Sequence, residues 1–123
     1  MPNKIILKKK ILNFNKKIII PGDKSMSIRW VLIASLADGI SKAKNLLMSD
    51  DVLAAIHAIK KLGIKVTINN NICIVHGAGI NGYEYRKNIV INAQNSGTLG
   101  RLISGVLIDT PYPIKIIGDK SLS

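Results

Sequence analysis

The residues best suited to binding an anion lie at the predicted start of a helix near the N-terminus. The segment Pro21-Gly22-Asp23-Lys24-Ser25-Met26-Ser27-Ile28-Arg29 combines a lysine, two serine hydroxyls and an arginine. We place Lys24 in the loop, Ser25 at or near the helix cap, and Arg29 one turn later on the same side. Such a group suits a phosphate or a carboxylate, with lysine as a point charge and arginine as a planar fork. On spacing alone, a solvated and capped helix start explains these residues equally well.

A second segment, Asn95-Ser96-Gly97-Thr98-Leu99-Gly100-Arg101, again brings small residues, an amide, hydroxyls and an arginine to a predicted helix start. Its glycines would let a ligand approach the backbone closely. Backbone N–H groups converge at a helix N-terminus and bind anions there. We call residues 21–29 the first corner and residues 95–101 the second corner. Both are candidate anion-binding sites, although glycines at a helix start are often only loop geometry. Asp23 separates Gly22 from Lys24, so the first corner is not a P-loop.

Other candidates for chemistry have simpler explanations. His57 and His76 have no partner at metal or triad spacing, and we expect both to face solvent. Asp50 and Asp51 could form a carboxylate pair, but capping a helix explains them more simply. Cys73 is the only cysteine and lies in an alternating apolar run, which predicts a buried structural thiol. We therefore predict no metal site within this chain.

The hydrophobic pattern predicts an α/β protein in which short strands alternate with helices. Strands are expected at residues 5–7, 17–20, 42–47, 64–68, 72–75, 89–91 and 114–117. The first helix should begin with Ser25 or Ser27 as its N-cap and stop at Asp38-Gly39. The second should run from Ser49-Asp50-Asp51 to Gly63, and the third from residue 98 to residue 108. An arginine follows a polar loop one turn into a helix twice, at Arg29 and Arg101, which suggests an internal repeat.

The net charge of +11 raises the question of a nucleic-acid partner. Six lysines lie in the first twenty residues with no acidic residue among them, and the excess elsewhere is modest. A small basic nucleic-acid-binding module remains an alternative, although the rest of the charge suits an enzyme of anionic substrates. Lysines interrupt the apolar runs near the N-terminus, and the longest uncharged apolar run, residues 30–37, is too short to cross a bilayer. We therefore expect a cytoplasmic protein with neither a signal peptide nor a membrane span.

Three sequence signatures resemble those of the EPSP synthase family. The first is Pro21-Gly22-Asp23-Lys24-Ser25, followed by Ser27 and Arg29 and later by Asn45-Leu46-Leu47 and Ser49-Asp50-Asp51. The second is Asn95-Ser96-Gly97-Thr98 with Arg101-Leu102, and the third begins at Gly118-Asp119-Lys120-Ser121-Leu122-Ser123. Their order and spacing match along nearly the whole chain, which is far more specific than any single motif.

The resemblance implies two similar domains, each built from three repeated βαβαββ units, with substrate in the cleft between them. Residues 1–123 would supply about one and a half to two units of the first domain, and the remainder would be missing. In the family the third signature continues into Lys-Arg-Pro, whose arginine binds phosphoenolpyruvate, and the acid/base carboxylates lie later still. We therefore expect an N-terminal fragment that is inactive alone.

The implied reaction transfers the enolpyruvyl (carboxyvinyl) group of phosphoenolpyruvate to the 5-hydroxyl of shikimate 3-phosphate, giving EPSP and phosphate. It belongs to the shikimate pathway and needs neither metal nor organic cofactor. The implied partners are these two small molecules, with no nucleic acid and no membrane, and the full-length protein would be a monomer. The implied site residues are Lys24, Ser25 and Arg29 for shikimate 3-phosphate, and Lys24, Asn95, Gly97 and Thr98 for phosphoenolpyruvate.

Two further alternatives fit parts of the pattern. The sister enolpyruvyl transferase that acts on UDP-N-acetylglucosamine has asparagine after its corresponding lysine, whereas Ser25 follows Lys24 here. A module that binds a phosphorylated metabolite without turnover would need the same two corners, and the motifs alone do not distinguish it from an enzyme.

Overall fold

The structure is a computed structural model that describes residues 3–10 and 12–122. The described chain contains both helices and strands, in agreement with the predicted α/β class. Their order and bounds are α1 (Lys24–Leu36), β1 (Asp38–Lys44), α2 (Asp50–Lys61), β2 (Lys65–Asn69), β3 (Ile72–Ala78), β4 (Val90–Asn92), α3 (Gly97–Val106) and β5 (Lys115–Ile117).

β1, β3 and β2 form an antiparallel sheet in that spatial order. The β2–β3 hairpin confirms the predicted Asn69-Asn70-Asn71 turn, because Asn70 and Asn71 both have positive φ, 44° and 65°. Two-residue hairpin loops favour this left-handed geometry, and asparagine tolerates it well. β3 is the central strand, so it extends to Ala78 by pairing with β1 beyond the end of β2.

β4 and β5 form a separate parallel pair with Val90 opposite Lys115 and Asn92 opposite Ile117. The predicted strands at residues 89–91 and 114–117 are thus confirmed to within one residue at each end. Parallel strands finish at the same edge of a sheet. The loops after β4 and β5 therefore meet, and these loops carry the second corner and the third signature.

The core lies between the helices and the inner faces of the sheets, where α1 packs against α2, α3 and β3. Gly77 lets the sheet approach α1, because a Cβ at this position would lie 2.2 Å from the carbonyl oxygen of Ala37. Cys73 is buried, as predicted, and burial raises the pKa of its thiol despite the opposing influence of Lys60. The fully buried large side chains are Ile28, Val31, Val52, Ile59, Leu62, Val75, Ile91, Leu99 and Ile103.

The strands predicted at residues 5–7 and 17–20 are wrong. These residues have no regular structure, and their apolar side chains are largely exposed, as at Leu7 (90%) and Ile19 (86%). A strand is stabilised by its partner, and within residues 3–10 and 12–122 no strand pairs with this segment. Apolar composition alone therefore gave a false signal here.

Other predicted boundaries need smaller corrections. The strand expected at residues 42–47 is β1, which begins earlier at Asp38 and ends at Lys44. α3 begins at Gly97 and ends at Val106, not at residues 98 and 108. α2 ends at Lys61, and Gly63 has a φ of 88° just after it, which agrees with the predicted helix stop. The βαβαββ repeat itself stays a prediction.

Candidate functional site

The first corner is organised by Asp23, which is the N-cap of α1. Its Oδ1 accepts a hydrogen bond from the Met26 backbone N–H at 2.7 Å. The prediction that Ser25 or Ser27 caps the helix is wrong, because the carboxylate already occupies that role. Lys24 is consequently the first residue of α1 and does not lie in the loop.

Ser27 instead joins the start of α1 to residues 45–47. Its buried hydroxyl donates to the Asp23 carbonyl oxygen at 2.6 Å and accepts from the Leu47 backbone N–H at 3.1 Å. Gly22 lies directly on the same segment, since a Cβ there would stand 2.2 Å from the Asn45 carbonyl oxygen. These contacts hold the start of α1 against residues 45–47, so the later part of the first signature supports the earlier part.

The side chains predicted to bind shikimate 3-phosphate remain accessible on this scaffold. Lys24 and Arg29 are exposed, and Ser25 is half-buried. Lys24 Nζ lies 3.1 Å from Oδ2 of Asp51, in the first turn of α2. The N-terminal ends of α1 and α2 are therefore adjacent.

Asp51 is a residue whose part in the site was missed from the sequence, where helix capping seemed a sufficient explanation. In the first turn of α2 its carboxylate does interact favourably with the helix dipole, but it also pairs with Lys24. Ser49 occupies the N-cap position of α2, as predicted, yet its side chain makes no capping hydrogen bond. Its Oγ is buried without a hydrogen-bond partner in the described structure.

The second corner is capped by Ser96, whose Oγ accepts from the Leu99 backbone N–H at 3.1 Å. Asn95 precedes this cap and is exposed, while Gly97 and Thr98 are half-buried. Three of the residues predicted to bind phosphoenolpyruvate thus lie at the first turn of α3, whereas the fourth, Lys24, lies at the start of α1.

Residues 118–122 fold back onto the second corner. The Asp119 backbone N–H donates to the Gln94 carbonyl oxygen at 2.8 Å, which continues the β4–β5 pairing beyond the strand ends. Leu122 packs over Gly118, because a Cβ added to Gly118 would lie 2.6 Å from the Cβ of Leu122. The Leu122 side chain also extends toward Gly97. A cavity of about 300 Å³ between α3 and this loop is lined in part by Gly97, Arg101 and Leu122.

The two corners face the same end of the molecule. α1 and α3 pack together, and Leu36 and Val106 at their C-terminal ends line one cavity, so the two helices run in the same general direction. Their N-termini therefore both lie away from this cavity, and the N-terminus of α1 lies beside that of α2. Helix N-termini carry partial positive charge, which favours an anion placed close to them.

The cavity at the C-terminal ends of α1 and α3 measures about 480 Å³ and is larger than the one at the second corner. It is lined mainly by apolar side chains, among them Ile80, Tyr83 and Ile108. We do not assign the site to it, because Lys24, Arg29 and Asn95 all lie elsewhere. Among the described residues no group of three histidine, cysteine or acidic side chains could hold a metal ion.

The carboxylate of Asp119 accepts hydrogen bonds from Ser121. The Ser121 hydroxyl, followed by the Ser121 backbone N–H, stabilises the carboxylate and lowers the pKa of Asp119 below its ordinary value.

No hydrogen bond or ion pair joins the first corner to the second within the described part of the chain. They share an end of the molecule without touching.

Comparison with known proteins shows the family to which this chain belongs. A sequence model of the family described as EPSP synthase (3-phosphoshikimate 1-carboxyvinyltransferase) matches residues 8–123. The chain belongs to the EPSP synthase family. The match spans both corners and the third signature, of which Ser123 lies outside the described residues.

Individual EPSP synthases agree with this assignment in sequence and in fold. The 3-phosphoshikimate 1-carboxyvinyltransferase of Bacillus cytotoxicus is 40% identical over 108 residues, which are 88% of this chain and 25% of that protein. The Streptococcus suis protein of the same name is 39% identical over 117 residues, 95% of this chain and 27% of its own. The EPSP synthase from Acinetobacter baumannii has a TM-score of 0.80 at 32% identity, covering 88% of this chain and 24% of its own.

The chain spans about a quarter of the length of the EPSP synthases it matches. None of the described helices is long and apolar enough to cross a membrane.

Proposed function

We propose that this chain supplies one substrate-binding part of an enzyme that transfers the carboxyvinyl group of phosphoenolpyruvate to the 5-hydroxyl of shikimate 3-phosphate. The observation that carries this proposal is the common direction of the helix N-termini, with Lys24 and Arg29 exposed at that end. Both substrates carry phosphate and carboxylate groups, and such groups bind at helix N-termini beside lysine and arginine.

In the proposed reaction the 5-hydroxyl loses its proton and its oxygen adds to the enol carbon of phosphoenolpyruvate, while the terminal carbon gains a proton. Phosphate then leaves the tetrahedral intermediate, and loss of a proton restores the double bond. We assign no acid or base to the residues of this chain. Its contribution would be electrostatic, because fixed positive charge around the carboxylate and phosphate stabilises charge in the transition state without reorganisation.

Each side chain has a proposed partner. Lys24 would contact both substrates and would leave Asp51 to do so. Ser25 and Arg29 would hold shikimate 3-phosphate. Phosphoenolpyruvate would lie against the second corner, at Asn95, Gly97 and Thr98, where a glycine allows close approach to the helix start.

A chimera provides the direct test. Residues 8–123 would replace the matching quarter of the Bacillus cytotoxicus relative, and product formation would be followed by phosphate release and by NMR of the carboxyvinyl ether. We expect turnover by the folded chimera without added metal or cofactor, and none by residues 1–123 alone. A folded chimera that binds neither substrate would overturn the proposal, and turnover by the isolated chain would show that this chain does more than bind substrate.

The proposal includes no nucleic-acid partner, although the charge of +11 is large. A protein that neutralises many phosphates shows a steep linear fall of log affinity with log salt concentration. We expect only a shallow slope for this chain with duplex DNA, from the lysines of the first twenty residues. A steep slope with tight binding at low salt would favour the nucleic-acid alternative.

A further inference from the structure

Three side chains beside the second corner share one hydrogen-bonded cluster. The Ser121 Oγ lies 2.5 Å from Oδ1 of Asp119 and 3.2 Å from Oδ1 of Asn95. The Ser121 backbone N–H also donates to the same Asp119 oxygen at 2.9 Å. A hydroxyl has a single hydrogen, so both acceptors share it, and the shorter arm goes to the carboxylate.

This cluster links two separate parts of the chain. Asn95 follows β4 and Ser121 follows β5, so their contact depends on the parallel pairing of these strands. The backbone contact from Asp119 to Gln94 and the packing of Leu122 over Gly118 hold the second loop in place. Ser121 is therefore presented to Asn95 by the fold.

In this contact Oδ1 is the end of the Asn95 carboxamide that faces the Ser121 hydroxyl. With Oδ1 directed at the Ser121 hydroxyl, the Nδ2 group is left to donate hydrogen bonds in another direction. Anionic ligands need donors, and a carboxamide free to rotate would present its oxygen to the anion part of the time. Fixing the rotation removes that repulsive orientation and the entropy lost on binding.

We propose that Ser121 is a positioning residue that orients the Asn95 carboxamide so that its Nδ2 group donates to phosphoenolpyruvate, with Asp119 holding Ser121 in place. This inference rests on the proposed function. In this proposal neither Ser121 nor Asp119 contacts phosphoenolpyruvate, and both act through Asn95.

The orientation of Asn95 is tested on the chain itself. In Ser121→Ala the side-chain amide NMR signals of Asn95 should move toward their positions in the urea-unfolded chain, and Ser121→Thr should keep the wild-type positions. Ser104→Ala is the matched control, because the Ser104 hydroxyl donates to the Gly100 carbonyl oxygen within α3. Unchanged Asn95 signals in Ser121→Ala would overturn the positioning.

The effect on the ligand is tested by kinetics in the chimera. Ser121→Ala should raise KM for phosphoenolpyruvate about fivefold, as expected for one neutral hydrogen bond, and leave KM for shikimate 3-phosphate unchanged. Ser121→Thr should restore the wild-type value, and Ser104→Ala should have no effect.

A double mutant separates positioning from general stabilisation of the loop. If Ser121 acts through Asn95, then Ser121→Ala should add nothing to the effect of Asn95→Ala. Additive effects would overturn the proposal while the proposed function stands. A folded wild-type chimera without turnover would remove the proposed function and with it the role toward phosphoenolpyruvate, and the amide signals alone would then decide whether Ser121 orients Asn95.

Discussion

Lys24 is held in a contact that it can easily leave. Its side chain is about half exposed and faces Asp51 at 3.1 Å. Exposed ion pairs contribute about 1 kcal/mol or less, because water screens them and ordering the side chains costs entropy. A dianionic ligand at the helix N-terminus can therefore compete for the ammonium group, while Asp51 keeps the lysine close to the site in its absence.

Gly22 is required by packing against residues 45–47. In Gly22→Ala the new Cβ would lie 2.2 Å from the Asn45 carbonyl oxygen, so the backbone must shift. We expect a loss of about 1–3 kcal/mol of unfolding free energy, measured by urea denaturation of the chain.

Gly105→Ala is the matched control, because a Cβ at this helical position meets nothing within 4 Å. It should stabilise the chain by about 0.5–1 kcal/mol through the lower conformational entropy of alanine in the unfolded state. Equal effects of the two substitutions would contradict the close contact at Gly22.

Asp119 should titrate in a way that reports the Ser121 contact. Its pKa is lowered from 3.8, chiefly by the Ser121 hydroxyl, so Ser121→Ala should raise it toward that value. Because the folded-state pKa is the lower one, the stabilisation is present above the unfolded-state pKa and is lost as the pH falls through the folded-state value. A carboxyl ¹³C titration checks this, with Ser104→Ala expected to match the wild type. An unshifted Asp119 pKa in Ser121→Ala would count against the contact.

At the scale of elements, the start of α1 depends on one cap. Asp23→Ala removes the acceptor for the Met26 N–H and should cost about 0.5–2 kcal/mol, seen as lower thermal stability in circular dichroism. Asp23→Asn keeps a good capping oxygen and should remain close to the wild type. If Asn proves as destabilising as Ala, the charge of Asp23 matters more than its capping hydrogen bond.

Elements with strong local signals were predictable from the sequence. The β2–β3 hairpin follows from the asparagine turn between alternating apolar runs, and α2 from acidic residues at its start and Gly63 just after its end. The first cap was predicted at a serine because serine, threonine and aspartate are all good caps, and the spacing did not separate Asp23 from Ser25.

Features that depend on distant partners were not predictable. Residues 5–7 and 17–20 have the composition of strands, but strands form only where a partner is available. Asp51 joins Lys24 across two helices, and Ser121 meets Asn95 only because β4 and β5 are parallel. A local sequence pattern carries no information about these contacts. The Ser121–Asn95 contact was indicated only by the fact that two predicted strands each end before a polar loop.

For the whole molecule, the described chain combines a packed core with an exposed apolar segment. Ile5, Leu7, Leu12, Ile19 and Ile20 are each at least 72% exposed. The core, by contrast, holds the helices so that their N-termini share one end. The site therefore depends on how the elements pack, and each corner alone would be an ordinary capped helix start.

The most direct test of this account compares Lys24→Ala, Arg29→Ala and Arg29→Lys in the folded chimera. Lys24→Ala should raise KM for both substrates and lower kcat, as expected if its charge stabilises the transition state more than the ground state. Arg29→Ala should chiefly raise KM for shikimate 3-phosphate, by about one to two decades, as expected for the loss of a charge-assisted hydrogen bond. Arg29→Lys should recover only part of this loss. Wild-type kinetics for both substrates in all of these folded variants would contradict the account, because the first corner would then lie outside the active site.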